Sequence, residues 1–249
     1  MNNVKNLPIG VFDSGIGGLN VLHKLSKTFK DESFVYFGDN LNAPYGNKTK
    51  KELFNLCCNA IDKLLLNNVK AVVIACNTAS TNCLNKLKAK YANLIIVGTF
   101  PKSINSKNTI LFSTFKTAKS KYVLQNFSNC KIVPLKNLAK DIENYYLYGT
   151  PINLKKVKTY ASVKYKSVLL GCTHYIYLKE QFKKFFNCRI YDGLNEVCTR
   201  LKASLNGLEG ANLEPSISFI GESAKFNLYV YQKAFGVNCG CKVVKNPKK

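Results

Sequence analysis

Two cysteines in this chain follow the same kind of apolar run. Cys76 lies in VVIACNTAS and Cys172 in LLGCTHY, and small hydroxyl or amide residues follow each thiol at once. Redox pairs are usually close in sequence, and a nucleophilic cysteine needs only one thiol. Two opposed thiols suit a symmetric reaction, in which one removes a proton from a carbon and the other replaces it on the opposite face. The pattern therefore favours racemisation or epimerisation.

Polar residues lie close to both cysteines. His174, one of two histidines in the chain, follows Cys172 by two positions and could orient that thiol and shift its pKa. Asp13 and Ser14 follow another apolar run, in GVFDSGIGG, and the glycines after them could let backbone amides approach a carboxylate. A third loop contains Asp39 and the turn Pro44-Tyr45-Gly46, and it could close one wall of a small polar pocket.

Short β-rich runs alternate with amphipathic stretches from one end of the chain to the other. The predicted strands are Ile9–Phe12, Phe34–Phe37, Ala71–Ala75, Leu94–Val97, Thr109–Phe112, Lys131–Val133, Ser167–Leu170, Arg189–Tyr191 and Ile217–Ile220. The predicted helices are Gly18–Phe29, Lys51–Leu66, Ser80–Tyr91, Thr117–Asn126, Lys179–Phe186 and Glu222–Ala234. This alternation is typical of the α/β class, with parallel sheets covered by helices.

Ligands of such sheets bind at the carboxyl ends of the strands. Cys76 and Cys172 each fall at a strand end, so we expect them to face each other across a cleft between two βα halves. The segments GTFPKSINSKN and SLNGLEGANLEP mark the two crossings between the halves. The predicted domains are 1–97 plus 207–249, which holds Asp13 and Cys76, and 98–206, which holds Cys172 and His174.

The net charge of +23 invites an interpretation as a nucleic-acid-binding protein. However, only Arg189 and Arg200 of the 37 basic residues are arginine, and the lysines are spread along the whole chain. Arginine is the residue that most often forms bidentate hydrogen bonds to guanine bases and to phosphates. We therefore expect the positive charge to be spread over the surface, and the composition disfavours nucleic acid as a partner.

Other features of the sequence concern compartment and cofactors. No run approaches 18 apolar residues, which argues against a membrane-spanning helix, and the N-terminal segment lacks the apolar core of a secretory signal. The ten cysteines are scattered through apolar segments, which favours reduced thiols in a cytoplasm. Cys57-Cys58 and Cys239-Gly-Cys241 lack zinc spacing, and the turn at Gly15–Gly18 lacks the third glycine of a dinucleotide fingerprint. We expect no metal, nicotinamide, flavin or pyridoxal phosphate.

Four segments together resemble the cofactor-independent glutamate racemases in order and spacing. They are GVFDSGIGGLNVL, YFGDNLNAPYGNKT, VVIACNTAS and LLGCTH. The resemblance implies a two-domain α/β enzyme that interconverts L- and D-glutamate for bacterial peptidoglycan. It also implies that Cys76 and Cys172 are the acid/base residues, assisted by Asp13 and His174. The implied substrate-binding residues are Asp13, Ser14, Tyr45, Gly46, Asn77, Thr78, Thr173 and His174.

The chain departs from the pattern of that family at four places. The family usually has a glutamate after the VPL of the second half, where this chain has Lys136 and Asn137. Asn42 stands in place of an arginine, Pro101-Lys102 in place of Glu-Pro, and Ile176 in place of a proline. None of these changes removes a thiol or the residue expected to assist it.

Other functions remain open alternatives. The same fold could act on aspartate or another amino acid, although the motifs favour glutamate, and a decarboxylating relative would lack one cysteine. An alternative from a different class is a catalytically weakened basic protein that binds acidic partners, which salt-sensitive DNA affinity would support. The expected partner is a small amino-acid substrate. The oligomeric state is open, with a homodimer as one alternative.

Overall fold

Two parallel β-sheets form the centre of the molecule. The computed structural model describes residues 4–104, 107–237 and 240–244. The first sheet has six strands, in the spatial order β10 (Cys241–Val243), β9 (Ile217–Ile220), β2 (Phe34–Gly38), β1 (Ile9–Asp13), β3 (Ala71–Ile74) and β4 (Ile95–Gly98). The second has four, in the order β6 (Cys130–Pro134), β5 (Thr109–Ser113), β7 (Ser167–Gly171) and β8 (Arg189–Tyr191). All neighbouring strands in both sheets run parallel.

The strand register brings the chemically interesting positions together. Asp13, the last residue of β1, pairs with Gly38 at the end of β2, and Ile74 at the end of β3 pairs with Phe12. In the second sheet, Gly171 at the end of β7 pairs with the last residue of β5. The residues that follow these strands therefore lie along one edge of each sheet.

Helices cover the faces of both sheets. Those in the described ranges are α1 (Leu19–Thr28), α2 (Lys50–Leu65), α3 (Asn77–Lys90), α4 (Phe115–Ala118), α5 (Lys121–Asn126), α6 (Leu138–Tyr148), α7 (Lys155–Lys158), α8 (Lys179–Phe186), α9 (Leu194–Leu205) and α10 (Ala224–Phe235). Because helices pack on both faces, the strands β1, β2, β3, β5 and β7 are buried along their whole length. This burial holds the strand ends in fixed positions.

The predicted α/β class with mainly parallel sheets is confirmed. All nine predicted strands are present, each within one residue of its predicted bounds. The single helix predicted over Thr117–Asn126 is wrong, because the chain forms α4 and α5 there. The side chain of Thr114 accepts a hydrogen bond from the amide of Thr117, and Ser120 does the same for Val123. Ser120 is an N-cap, so it starts a new helix inside the predicted one.

Four elements were not predicted from the sequence, namely β10, α6, α7 and α9. Helix α7 has four residues, three of them lysines, so it carries no apolar periodicity. Strand β10 is a three-residue edge strand with partly exposed residues, so it carries little apolar signal. Helices α6 and α9 do carry a signal, since Leu138 and Ile142 in α6, and Val197 and Leu201 in α9, are buried at a spacing of four residues. Helix α6 matters for function because it contains Glu143.

The predicted domain bounds are kept as a proposal. Strands of the first sheet come from residues 9–98 and 217–243, and those of the second from residues 109–191. Helix α9 follows the second sheet in the chain but packs against α1 and β4 of the first. We propose domains at 1–97 plus 207–249 and at 98–206, with α9 as a connection that lies on the first sheet. Within the described ranges, no helix has the length and apolar character needed to cross a bilayer.

Candidate active site

A small enclosed cavity lies between the carboxyl-terminal edges of the two sheets. Its volume is about 10 Å³, far below the roughly 300–1,000 Å³ of pockets that hold drug-sized ligands, so the cavity is closed in this structure. Its lining residues are Ser14, Pro44, Tyr45, Gly46, Cys76, Asn77, Thr78, Thr114, Ala139, Cys172, Thr173 and His174. The two cysteines singled out from the sequence thus share one cavity. Every substrate-binding residue inferred from the resemblance lines it, except Asp13, which lies fully buried next to Ser14.

Cys76 lies between β3 and α3, at the N-cap position of that helix. Its thiol donates a long hydrogen bond, 3.9 Å from Sγ, to Oγ of Ser14. Ser14 in turn donates from Oγ to Oδ1 of Asp13 at 3.2 Å. Burial raises the pKa of the Cys76 thiol well above its usual value, and the nearby charge of Asp13 raises it further. The raised pKa favours the protonated thiol of Cys76. The hydroxyl of Ser14 connects this thiol to the carboxylate of Asp13 by hydrogen bonds.

Asp13 is a completely buried carboxylate at the end of β1. Oδ1 accepts hydrogen bonds from Ser14 and from the amide of Gly15, and Oδ2 accepts one from Oγ1 of Thr173 at 3.0 Å. Burial raises the pKa of Asp13 to about 6, while His174 and the hydroxyl of Thr173 act to lower it. Asp13 can therefore change its protonation state near neutral pH.

Cys172 has a different partner. Its Sγ lies 3.9 Å from Nδ1 of His174, and Nε2 of the same imidazole lies 2.7 Å from Oε1 of Glu143. Burial acts to lower the pKa of His174, but the interactions with Cys172 and Glu143 outweigh it and raise that pKa well above the usual value. The raised pKa favours the imidazolium form, which would donate through Nε2 to Glu143 and through Nδ1 to the sulfur.

Glu143 is the functional residue that sequence reasoning missed. Its Oε1 also accepts from the amide of Ile16 at 2.8 Å, and Oε2 accepts from Nδ2 of Asn40 at 3.0 Å. Asn227 donates to Oδ1 of Asn40 and so fixes the orientation of that amide. The carboxylate is held in place by partners from both halves of the molecule.

Glu143 changes the meaning of one departure from the family pattern, the missing glutamate after the VPL segment. No acid follows Leu135 directly, since Lys136 and Asn137 come next and both are exposed. An acid is nevertheless present at the site, because α6 brings Glu143 to His174. The amphipathic pattern of α6 would have revealed the helix, although it does not reveal that a glutamate on it is buried.

The sequence indicates that backbone amides of the glycine-rich turn after β1 could approach a carboxylate, and two of them bind carboxylates of the protein. The amides of Gly15 and Ile16 donate to Asp13 and Glu143, so these two bind carboxylates of the protein itself. Close approach explains the glycines here, because a Cβ on Gly15 would overlap the carboxylate of Glu143. A Cβ on Gly17 would likewise overlap the ring of His174.

The loop after β2 forms one wall of the cavity, as expected from the sequence. Pro44, Tyr45 and Gly46 line it, and the hydroxyl of Tyr45 donates to Oδ2 of Asp39 at 2.7 Å. Asn42, which replaces the family's usual arginine, donates to Oδ1 of the same carboxylate at 2.9 Å. Asp39 thus holds the loop in shape and does not itself reach the cavity lining.

Three threonine hydroxyls join the two halves at the other side of the cavity. Oγ1 of Thr78, at the start of α3, lies 2.9 Å from Oγ1 of Thr114 and 3.1 Å from Oγ1 of Thr117. Thr114 and Thr117 belong to the loop after β5 and to α4, and sequence reasoning did not single them out. Asn77, beside Thr78, uses Nδ2 to donate to the carbonyl of Thr99 at 3.2 Å.

The arrangement can therefore perform proton transfer from two sides. Each thiol is connected through one intermediate group to a buried carboxylate, as Cys76–Ser14–Asp13 and Cys172–His174–Glu143. The two connections differ in chemistry, because an imidazole lies next to the thiol of Cys172, whereas the carboxylate of Asp13 acts to raise the pKa of Cys76.

Comparison with known proteins agrees with this geometry. No family model matches the chain. A glutamate racemase of Clostridium botulinum is 39% identical over 195 residues, which is 72% of this chain and 76% of that protein. A glutamate racemase of Clostridium novyi is 36% identical over 231 residues, 85% of this chain and 88% of that protein.

Solved structures show the same relationship. The structure of a glutamate racemase isoform from Bacillus anthracis matches with a TM-score of 0.80 and 26% identity, over 98% of this chain and 100% of that one. A glutamate racemase of Francisella tularensis in complex with D-glutamate shares the fold, with a TM-score of 0.78, 24% identity and coverage of 96% and 98%. With the two-thiol cavity, these similarities show that the chain belongs to the glutamate racemase family.

Proposed function

We propose that this protein interconverts L- and D-glutamate by a two-base mechanism that uses no cofactor. The observation that carries the proposal is that Cys76 and Cys172 line one enclosed cavity, each connected to its own buried carboxylate. Family membership supplies the substrate, since the curated relatives are glutamate racemases. The product serves peptidoglycan synthesis, and the reduced cysteines favour a cytoplasmic location.

The reaction is a pair of proton transfers at the α-carbon. One thiolate takes the α-proton, so the C–H bond breaks, an S–H bond forms and the electron pair stays on carbon. The opposite thiol then gives its proton to the other face of that carbon and becomes a thiolate. In the reverse direction Cys76 and Cys172 exchange roles, which is why the chain contains the motif twice.

The surroundings of the two thiols differ. Burial and the nearby charge of Asp13 raise the pKa of Cys76 and favour its thiol as the first proton donor, while Sγ of Cys172 lies 3.9 Å from Nδ1 of His174. Turnover leaves the opposite state, with a thiolate at Cys76. That state is also the starting point of the reverse reaction. Return to the first state requires Cys76 to gain a proton, which the protonated form of Asp13 can supply through Ser14, and Cys172 to lose one.

Substrate carboxylates are held by backbone amides and hydroxyls around the cavity. Helix α3 begins at Asn77, and the first amides of a helix lack partners within it and attract anions. The proposed contacts are Ser14, Tyr45, Gly46, Asn77, Thr78, Thr173 and His174. Holding the substrate between two thiols places both faces of the α-carbon at contact distance from a base.

A racemisation assay with two substrates tests the alternative that the protein acts on aspartate. Aspartate is one methylene shorter, which discriminates by about 1–3 kcal/mol in a fitted site. Circular dichroism of L-glutamate and of L-aspartate over time, with purified protein and a chelator present, measures both rates. Loss of activity on chelation, restored by a metal, would contradict the absence of a metal cofactor. Sedimentation of the same sample tests whether the protein forms a homodimer.

The mechanism is tested by replacing one thiol at a time. Cys76→Ser and Cys172→Ser should each abolish racemisation, while Cys130→Ser, whose thiol lies on β6 away from the cavity, should leave it unchanged. In deuterated water, each single variant should still exchange the α-proton of one enantiomer, and the two variants should prefer opposite enantiomers. Racemisation at the wild-type rate by either variant would exclude the two-base mechanism.

A further inference from the structure

A second and larger cavity opens next to the catalytic one. This groove has a volume of about 740 Å³ and is lined by Gly46, Asn47, Lys48, Lys50, Asn82, Phe115, Lys116, Lys119, Pro134, Lys136 and Lys156. Six of these residues are lysines, and no acidic residue is among them. The sequence predicted an even spread of positive charge, so this concentration in one groove departs from that prediction.

The groove touches the catalytic cavity and is built from both halves of the protein. Gly46 lines both cavities, and Thr114, in the catalytic cavity, directly precedes Phe115 in the groove. Lys48 and Lys50 come from the segment where α2 begins. The other four lysines belong to the second half, in α4, in the loop after β6 and in α7. The groove therefore lies directly outside the cavity that contains the two thiols.

The six groove lysines lack close acidic partners in the described part of the chain. None of the six forms an ion pair there, although Glu52 lies near Lys48 and Lys116. Lys119 lies over the ring of Phe115, and Lys156 donates to the carbonyl of Pro134 at 2.9 Å. A cleft lined by one sign of charge raises the local concentration of ions of opposite sign.

We propose that the lysine groove is an anion subsite that captures the dicarboxylate substrate and feeds it to the catalytic cavity. The inference rests on the proposed function, because glutamate carries two carboxylates and a net negative charge. The groove is wide and exposed, whereas the cavity behind it is small and closed. Capture at the groove would keep substrate beside the cavity until the two halves separate enough to admit it.

The test uses a triple variant, Lys116→Gln, Lys119→Gln and Lys136→Gln, in the full chain. These side chains reach the groove and do not line the catalytic cavity. The matched control is Lys88→Gln, Lys202→Gln and Lys225→Gln, which removes the same charge from exposed lysines outside the groove. Steady-state racemisation of both enantiomers is measured at ionic strengths from about 0.01 to 1 M, where the screening length falls from about 30 to 3 Å.

We expect the groove variant to lose about tenfold in kcat/KM at low salt, through KM, with kcat changed less than about twofold. The loss should disappear at high salt, and the control variant should follow the wild type. Equal KM values for groove variant and control at low salt would overturn the inference. Absence of racemisation in the wild type would instead overturn the proposed function.

A polyanionic partner is the competing occupant, and a binding assay separates the two. Duplex DNA is titrated into wild type and groove variant at physiological salt. Weak binding that is equal in both proteins supports the substrate subsite. Tight binding that the groove variant loses would assign the groove to nucleic acid and overturn the inference.

Discussion

Thr173 donates a hydrogen bond of 3.0 Å from its hydroxyl to Oδ2 of Asp13, and this bond joins the end of β7 to the end of β1. It is a contact between the two halves of the protein at the catalytic cavity. It also stabilises the charged form of Asp13 and so opposes the effect of burial.

Removing that hydroxyl should move the acid limb of the pH profile. Thr173→Val deletes the donor, so the pKa of Asp13 should rise further above 6 and kcat/KM should fall at a higher pH than in the wild type. Thr173→Ser keeps a hydroxyl and should keep the wild-type profile. The measurement is kcat/KM from pH 5 to 8, and an unmoved limb in the valine variant would contradict the assignment to Asp13.

Glu143 should control the charge of His174. Glu143→Gln keeps the shape but removes the negative charge, so the pKa of His174 should fall and racemisation should drop by about 10²-fold. Glu180→Gln, an exposed glutamate on α8, is the matched control.

The chain has two histidines, so an NMR titration can follow His174 directly. His23 should titrate below the usual imidazole value, because it is partly buried, and His174 well above it. If His174 titrates at the same high pH in Glu143→Gln as in the wild type, the prediction for Glu143 is wrong.

Ser14 should serve Cys76 and not Cys172. Enantiomers have equal free energy, so kcat/KM is the same in both directions for any variant, and steady-state rates cannot reveal a one-sided defect. The test therefore isolates one thiol at a time. Ser14→Ala should slow α-proton exchange at least tenfold in the Cys172→Ser background, where only Cys76 acts. Exchange in the Cys76→Ser background should change much less, and equal losses in both would argue that Ser14 acts only by binding substrate.

Asp13 should destabilise the fold at neutral pH. Its folded pKa of about 6 lies above the ordinary value of 3.8, so the folded state binds more protons between these values. The stability that the protonated carboxyl contributes is complete below pH 4 and is lost as the pH rises through 6, by about 3 kcal/mol. The asparagine in Asp13→Asn cannot ionise. The difference in unfolding free energy between this variant and the wild type should therefore shift in favour of the variant by about 3 kcal/mol between pH 4 and pH 7. Urea unfolding at both pH values measures it, and a constant difference would contradict the raised pKa.

The sheet could be predicted from the sequence because buried parallel strands are short apolar runs with clear ends. For the same reason Cys76 and Cys172 could be placed at strand ends, next to the residues that follow β1 and β2. Glu143 could not be found in this way. It is 31 positions before His174, and its burial depends on how α6 meets the loops of the other sheet. Asn40, which orients Glu143, likewise becomes visible only when both halves are assembled.

The lysine groove was beyond sequence reasoning for a related physical reason. Its lysines come from four separate segments, and lysines are common throughout the chain. Spacing along the sequence therefore does not separate Lys116 or Lys136 from lysines elsewhere on the surface. Only the packing of α4 and α7 beside the start of α2 gathers them.

The closed cavity makes the separation of the two halves a proton-linked event. Asp13 is completely buried in the closed structure. We expect that widening the cleft to admit glutamate would let water reach Asp13 and return its pKa toward 3.8. Between pH 4 and 6, closing the cleft takes up a proton from solution and opening it releases one. We therefore expect acid to favour the closed state, so that below about pH 6 the exchange of substrate and product should slow independently of the chemistry at either thiol.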